Sequence, residues 1–331
     1  MVVIIEGKRP SLMPEGPVLE GDVLGPDWAV KRYGLLQDVP RDVLATAQAV
    51  IVRPGTTFGR DEMSRLRCCR VLISLGVGYE HIDLAAARER GLPVCNVPDY
   101  GVEEVADTAF AMILFLHRRL GSFARHARFH GIDWDWRILK SSRRARETTM
   151  GIIGLGRVGT SVALRAKAFG YRVIFYDPYV PRGVEKSVGV ERVAEMAILL
   201  ARSDIVTIHT PLTQETLEMV DGAFLDGMKA DAILINVSRG RILKDLDVVY
   251  DALRRRGELA IGLDVLPQEP PESHPLLEAW RHNEEWLSGR FLLTPHAAFY
   301  SEDSCRELRR RAAELAKTVL DGHSPYNVVN T

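Results

Sequence analysis

Hydrophobic positions in this chain fall into short, nearly unbroken runs separated by longer stretches in which they recur every three or four residues. Short runs rich in Val and Ile read as strands buried on both faces; the longer stretches read as helices with one apolar side. The runs lie at Val2 to Ile5, Ala49 to Val52, Val71 to Ser74, Met150 to Ile153, Val173 to Tyr176, Ile205 to His209, Ala232 to Asn236, Leu259 to Asp264 and Phe291 to Thr294. Helical periods fill the intervals, among them Glu103 to Arg119 and Arg306 to Leu320. Such alternation predicts an α/β protein with largely parallel sheets, because parallel neighbours need crossover connections.

The 331 residues exceed one ordinary domain, and 46% hydrophobic with 26% charged residues is the balance of a globular chain with a large core. The pattern by itself suggests two successive domains. A formal net charge of −1 gives no reason to expect nucleic acid or a membrane surface as partner. No run approaches the roughly 18 apolar residues of a membrane span. Met1 to Ile5 is too short an apolar run for a signal peptide. Cys68, Cys69, Cys95 and Cys305 show no metal-binding spacing, so no metal is expected and a reducing cytoplasm fits best. The adjacent Cys68 and Cys69 read as small buried apolar residues, and the arginine-rich stretch Lys140 to Glu147 as a solvated loop.

Chemistry first appears at Met150-Gly-Ile-Ile-Gly154-Leu155-Gly156-Arg157-Val158-Gly159, with Asp177 eighteen residues beyond the last glycine. A strand ends at Gly154. The glycines permit a tight turn, close approach of backbone to a pyrophosphate and close helix-to-strand packing, and Ser161 to Phe169 carries the helix. The pyrophosphate then meets the helix N-terminus, with its free N–H groups and positive dipole end. Asp177 closes the next strand, where a carboxylate accepts hydrogen bonds from both hydroxyls of the adenosine ribose and repels a 2′-phosphate. NAD(H) is therefore expected over NADP(H).

Further segments complete a constellation: Asn236-Val237-Ser238-Arg239-Gly240, Gly262-Leu-Asp264-Val-Leu-Pro-Gln-Glu269-Pro270 and Thr294-Pro-His296-Ala-Ala298-Phe299-Tyr-Ser301. Together with the fingerprint they resemble the D-2-hydroxyacid dehydrogenase family. The likeness is greatest to its C-terminal-binding-protein branch, through Cys95-Asn-Val-Pro98, Val158 to Gly170, Phe175 to Tyr179 and Pro295 to Glu302. It runs from about residue 45 to 320. The resemblance implies two Rossmann-like, doubly wound parallel-sheet domains. An NAD-binding domain, 99–298, is inserted into a discontinuous flavodoxin-like substrate domain, 1–98 and 299–331. It also implies a homodimer joined through the cofactor domains and the helix at Glu103 to Arg119.

The implied reaction interconverts a 2-oxo acid and a D-2-hydroxy acid. Such chemistry requires a held carboxylate, a proton for the carbonyl oxygen and a carbonyl carbon placed near the nicotinamide. By resemblance Arg239 anchors the substrate, a task suited to a planar guanidinium. His296 is the general acid of reduction, and Glu269 holds its other ring nitrogen and stabilises imidazolium. Leu75-Gly76-Val77-Gly78 resembles the loop whose backbone N–H groups bind the substrate carboxylate, with Tyr100 and Phe299 as aromatic walls. Asp264 is expected at the nicotinamide carboxamide. Thr210, Pro211 and Thr216 line the adenine side, and Val237, Ser238, Arg239, His296 and Ala298 pass near the nicotinamide.

Three departures bear on substrate. Ser74 stands where the nearest branch carries a substrate-reaching arginine, and Phe299 where it carries tryptophan. Arg241 and Lys244 follow Arg239 and read first as solvated charges; facing the site, they favour a di-anionic substrate. The stretch Pro271 to Arg290, with Trp280 and Trp286, reads as a lid, a docking surface or a packed excursion. The same branch includes co-repressors, so an NAD(H)-responsive protein-binding co-regulator is the alternative function. A family member oxidising formate or phosphite is a weaker third.

Overall fold

The structure, a computed structural model, describes residues 1–7, 19–129, 137 and 143–330. The chain divides into two compact units, Met1–Gly101 with Tyr300–Thr331, and Val102–Phe299. Each contains its own sheet, and among the described residues every pairing between strands is parallel.

In the first unit the strands are β1 (Val2–Ile5), β2 (Val30–Tyr33), β3 (Ala49–Val52), β4 (Val71–Ser74) and β5 (Val94–Cys95), in spatial order β2-β1-β3-β4-β5. This is the flavodoxin-like order, with its topological switch between β1 and β3. Every residue of β1, β3 and β4 is buried, which is why these three stand out as unbroken Val and Ile runs. Val43, Leu44, Phe58, Met63 and Ala86 cover one face. Leu308, Ala312, Leu315 and Val319 of the Glu302–Leu320 helix cover the other.

The sequence pattern missed β2 and β5. Lys31 and Arg32 of β2 are exposed on an edge, and β5 has only two residues, so neither forms an apolar run. The C-terminal segment adds to the β5 edge: Val328 bridges Cys95 antiparallel, and Val329 N–H donates to Val94 O at 2.8 Å. The buried Asn330 side chain accepts from Val94 N–H at 2.8 Å and donates to Leu92 O at 2.9 Å.

The second unit holds β6 (Thr149–Ile153), β7 (Arg172–Tyr176), β8 (Glu191–Arg192), β9 (Ile205–Ile208), β10 (Ile233–Asn236), β11 (Ala260–Leu263) and β12 (Phe291–Leu293). Their order is β12-β11-β10-β9-β6-β7-β8, so the chain reverses direction across the sheet between β6 and β9. Ligands bind outside the carboxyl ends of strands at such a switch. The Val102–His117 helix and the Arg157–Ala168 helix contribute to the core on one face. Leu199, Leu225, Val249, Leu253 and Leu276 belong to the core on the other. The edge strand β8, Glu-Arg in sequence, again gave no apolar signal.

Pro271 to Arg290, whose role was left open above, packs onto the core of the second unit, as the excursion reading expects. Leu276, Leu277 and Leu287 are buried, Trp286 meets Tyr250 edge-on at 5.8 Å, and the Arg254 guanidinium lies 4.8 Å above the Trp286 ring. Of the arginine-rich stretch, residues 140–142 lie outside the described residues. Arg143 is not merely solvated, because it pairs with Asp204 at 2.6 Å. One expectation is corrected: Cys68 is exposed and Cys69 only half-buried, since they sit in the turn before β4 instead of within it. Among the described residues no helix is long and apolar enough to cross a membrane.

Candidate functional site

The fingerprint occupies the switch point of the second sheet. Gly154 follows β6 with φ 89°, and a Cβ there would lie 2.9 Å from His209 O and from Thr210 Cγ2, on the segment leaving β9. A Cβ on Gly159 would lie 2.0 Å from Gly154 O, so the helix starts directly against the turn. That helix begins at Arg157, four residues before the start expected from sequence, and Gly156 caps it without a side-chain hydrogen bond. The first helical bond runs from Thr160 N–H to Gly156 O. Gly156, Arg157, Val158 and Gly159 thus have N–H groups with no protein acceptor among the described residues. Donors at a dipole end over an uncrowded Gly156 fit a pyrophosphate.

Asp177 sits beside this loop. Its Oδ2 accepts from Leu155 N–H at 2.8 Å, and its Oδ1 from Tyr179 and Val180 N–H at 2.9 and 3.1 Å. Three bonds leave about one of a carboxylate's four acceptor positions. Across the switch, His209 Nδ1 and Thr210 Oγ1 are buried polar atoms without a partner among the described residues. Burial pushes the His209 imidazole down to about 3, so the ring is neutral. Thr216 Oγ1 donates to Pro211 O at 2.6 Å and accepts from Thr213 N–H at 2.8 Å, closing the loop beyond.

The reactive groups come from the ends of β10, β11 and β12. Asn236, fully buried at the end of β10, accepts from Ser238 N–H and Oγ and donates to Arg239 O at 3.0 Å. That fixes the turn carrying Val237 and Arg239. Gly240 follows because a Cβ there would lie 1.8 Å from Leu266 O, so the Arg239 turn packs onto the loop that carries Glu269. Glu269 Oε1 accepts from Leu266 N–H at 2.9 Å, and Oε2 meets His296 Nδ1 at 2.7 Å. With Nδ1 occupied, Nε2 is the outward nitrogen. The backbone of His296 has φ 53°, a left-handed conformation uncommon outside glycine, held by its N–H donating to Asp264 O at 2.8 Å.

Asp264 is 1% exposed and accepts from Thr294 Oγ1, Ala297 N–H and Ala298 N–H at 2.6, 2.9 and 3.0 Å. It anchors the His296 loop, a part the sequence reading did not assign it. Ala298 is buried, and the Phe299 ring stands edge-on to His296 at 6.4 Å.

In the first unit, Leu75, Gly76, Val77 and Gly78 form the loop after β4, and Tyr100 packs against the core under the Glu302–Leu320 helix. Ser74 is fully buried and donates from Oγ to Gly78 O at 2.6 Å. Sequence reasoning missed Arg53. It follows β3 at the switch of this sheet, half-buried, next to Pro54, whose Cγ would lie 3.3 Å from a Cβ on Gly76. An arginine directly after a buried parallel strand was the available signal. Arg241 and Lys244 are exposed.

Comparison with known proteins agrees with this geometry. Residues 110–298 match the family model described as "D-isomer specific 2-hydroxyacid dehydrogenase, NAD binding domain". The chain belongs to the D-isomer specific 2-hydroxyacid dehydrogenase family. It carries that family's NAD binding domain, and NAD(H) is its cofactor. It is 34% identical over 297 residues to D-3-phosphoglycerate dehydrogenase of Methanocaldococcus jannaschii, covering 90% of this chain and 54% of the relative. It is 31% identical over 301 residues to C-terminal-binding protein 1 of Caenorhabditis elegans, covering 89% and 40%. The chain thus spans about half or less of the length of these curated relatives. D-lactate dehydrogenase from Aquifex aeolicus, solved with NAD and lactic acid, superposes with a TM-score of 0.83 at 28% identity, covering 97% of this chain and 96% of that one.

Proposed function

We propose that this protein reduces a 2-oxo acid to a D-2-hydroxy acid, and runs the reverse oxidation, with Arg239, Glu269 and His296 as its catalytic residues. The observation that carries this reading is the 2.7 Å bond from Glu269 to His296 Nδ1, on a loop packed against the Arg239 turn. The reduced nicotinamide supplies the hydride when bound. The fingerprint N–H groups take the pyrophosphate, and Asp177 accepts from a ribose hydroxyl with its remaining position. Arg239 binds the substrate carboxylate and overlaps the carbonyl oxygen. His296 gives the proton on Nε2 to that oxygen as charge develops, and Glu269 stabilises the imidazolium in the oxidative direction. In the first unit, the N–H groups after β4 receive a carboxylate.

Arg53 at the first unit's switch point supports a substrate carrying a second anionic group. The likeness to a phosphoglycerate dehydrogenase supports the same class. The protein works as a homodimer in the cytoplasm on this reading, with 1–98 and 299–331 as substrate domain and 99–298 as cofactor domain. Likeness to C-terminal-binding protein 1 supports a second reading, a protein-binding co-regulator that responds to NAD(H).

The test is loss of NADH absorbance with a panel of 2-oxo acids spanning aliphatic, aromatic, dicarboxylic and phosphate-bearing members. Turnover that falls roughly 100- to 10,000-fold in His296→Ala, the range for loss of a general acid, supports the dehydrogenase. NADH binding with no turnover of any member favours the co-regulator.

A further inference from the structure

The carboxylate-binding role given above to the loop after β4 leaves open what aims its N–H groups, and the hydrogen bonds within the first unit answer that. Three successive carbonyls are each held from the sheet side. Gly76 O accepts from Val97 N–H at 3.0 Å, Val77 O from Asn96 Nδ2 at 2.7 Å, and Gly78 O from Ser74 Oγ at 2.6 Å. Leu75 N–H donates to Val52 O at 2.8 Å and fixes the start of the loop on β3.

A trans peptide is planar, and its C=O and the following N–H point in opposite directions. Each held carbonyl therefore turns the next N–H the other way. Val97 sets the N–H of Val77, Asn96 that of Gly78, and Ser74 that of Tyr79. None of these three N–H groups has a protein acceptor among the described residues, and Val77 is 42% exposed. The result is a row of three N–H groups facing away from the sheet, a concavity suited to an anion.

We infer that Ser74 and Asn96 are positioning residues for substrate binding: their side chains grip Gly78 O and Val77 O and so aim the N–H groups of Tyr79 and Gly78 at the carboxylate. The inference rests on the proposed function, since it assumes that this loop receives a carboxylate. Asn96 is itself placed by the C-terminal segment. Its N–H donates to Asn327 O at 3.2 Å, and Asn327 has φ 56° just before the Val328 bridge to Cys95. Ser74, where the nearest branch has an arginine, here acts under the loop instead of on the substrate.

The test uses the full chain with Ser74→Ala and Asn96→Ala, assayed with whichever 2-oxo acid of the panel the wild type reduces fastest. Each variant is expected to raise KM for that acid at least 10-fold while kcat changes less than threefold and NADH affinity, read by fluorescence, is unchanged. A general loss of folding would move NADH affinity and kcat as well. If the wild type turns over and both variants keep its KM, or if kcat alone falls, the inference is wrong while the dehydrogenase reading stands. If the wild type turns over nothing in the panel, that reading fails separately, and calorimetric titration with oxalate decides this one. Oxalate binding weakened at least 10-fold in both variants supports it; equal binding, or none to the wild type, overturns it.

Discussion

Two glycine-bearing loops in this molecule do the same kind of thing by different means. The loop after β6 and the loop after β4 each follow a buried parallel strand, and each leaves a row of backbone N–H groups without protein acceptors among the described residues. After β6 the row exists because a helix starts there, and the glycines let the turn, helix and neighbouring strand come within contact distance. All of that is encoded within ten consecutive residues. After β4 no helix begins, and the row exists because carbonyls are gripped by Ser74, Asn96 and Val97. Two of those three lie about twenty residues downstream. Local conformation can be read from a motif; a device assembled by the fold cannot.

The sharpest way to test that contrast is to damage the local loop alone. A Cβ at position 159 would lie 2.0 Å from Gly154 O, a backbone atom that cannot swing aside. Overpacking of this kind costs roughly 1–3 kcal/mol. Gly159→Ala should therefore weaken NADH binding by roughly 10- to 100-fold while leaving oxalate binding at the first unit unchanged. Wild-type NADH affinity in the variant would mean that the close approach does not shape the site.

Next in size is the effect of charge at Asp177. Its carboxylate ties Leu155, Tyr179 and Val180 to one another at the edge of the fingerprint, and in the proposed site its negative charge disfavours a 2′-phosphate. In Asp177→Asn one acceptor oxygen persists and the charge goes. The ratio of NADPH to NADH affinity should rise about tenfold, about 1.4 kcal/mol. An unchanged ratio would place cofactor choice elsewhere than at Asp177.

The same distinction explains what the chain revealed before its structure. The nine runs of Val and Ile marked strands because burial on both faces leaves no room for polar residues. The edge strands β2 and β8, partly exposed, were lost to the same logic. Asp177, Arg239, Glu269 and His296 stood out because each lies in a compact motif. Asp264 stood out too, yet its bonds to Thr294, Ala297 and Ala298 span about thirty residues, and nothing in its motif foretells a carboxylate spent on anchoring a loop. Ser74 was noticed only as the absence of an arginine, because its partner, a backbone carbonyl, has no sequence signature.

The smallest effect concerns stability, and it separates the two units by their buried imidazoles. Burial lowers His81 in the first unit and His117 and His209 in the second, His209 to about 3. A histidine lowered by folding binds its proton more readily in the unfolded chain. Its contribution to stability is thus complete above the unfolded value of 6.5 and is lost as pH falls from there towards the folded value. For His209 alone the loss between pH 7.5 and pH 6 is about 0.8 kcal/mol, steepening towards about 1.4 kcal/mol per pH unit below that. Calorimetric unfolding of the wild type and of His209→Gln across this range should show a shallower slope in the variant, by close to one proton. His209 Nδ1 lies buried and, among the described residues, unpartnered in the residue whose carbonyl meets Gly154, so protonation there would disturb the fingerprint, but the folded ring takes up a proton only near pH 3. NADH affinity should therefore show the same pH dependence between pH 7.5 and pH 6 in the wild type and in His209→Gln, even as their stability slopes differ. His81→Gln changes a residue of the other unit, so it should flatten the stability slope and leave the pH dependence of NADH affinity as it was. A pH dependence of NADH affinity in this range that His209→Gln removes would show that the folded ring titrates near neutral pH and would contradict its lowering by burial.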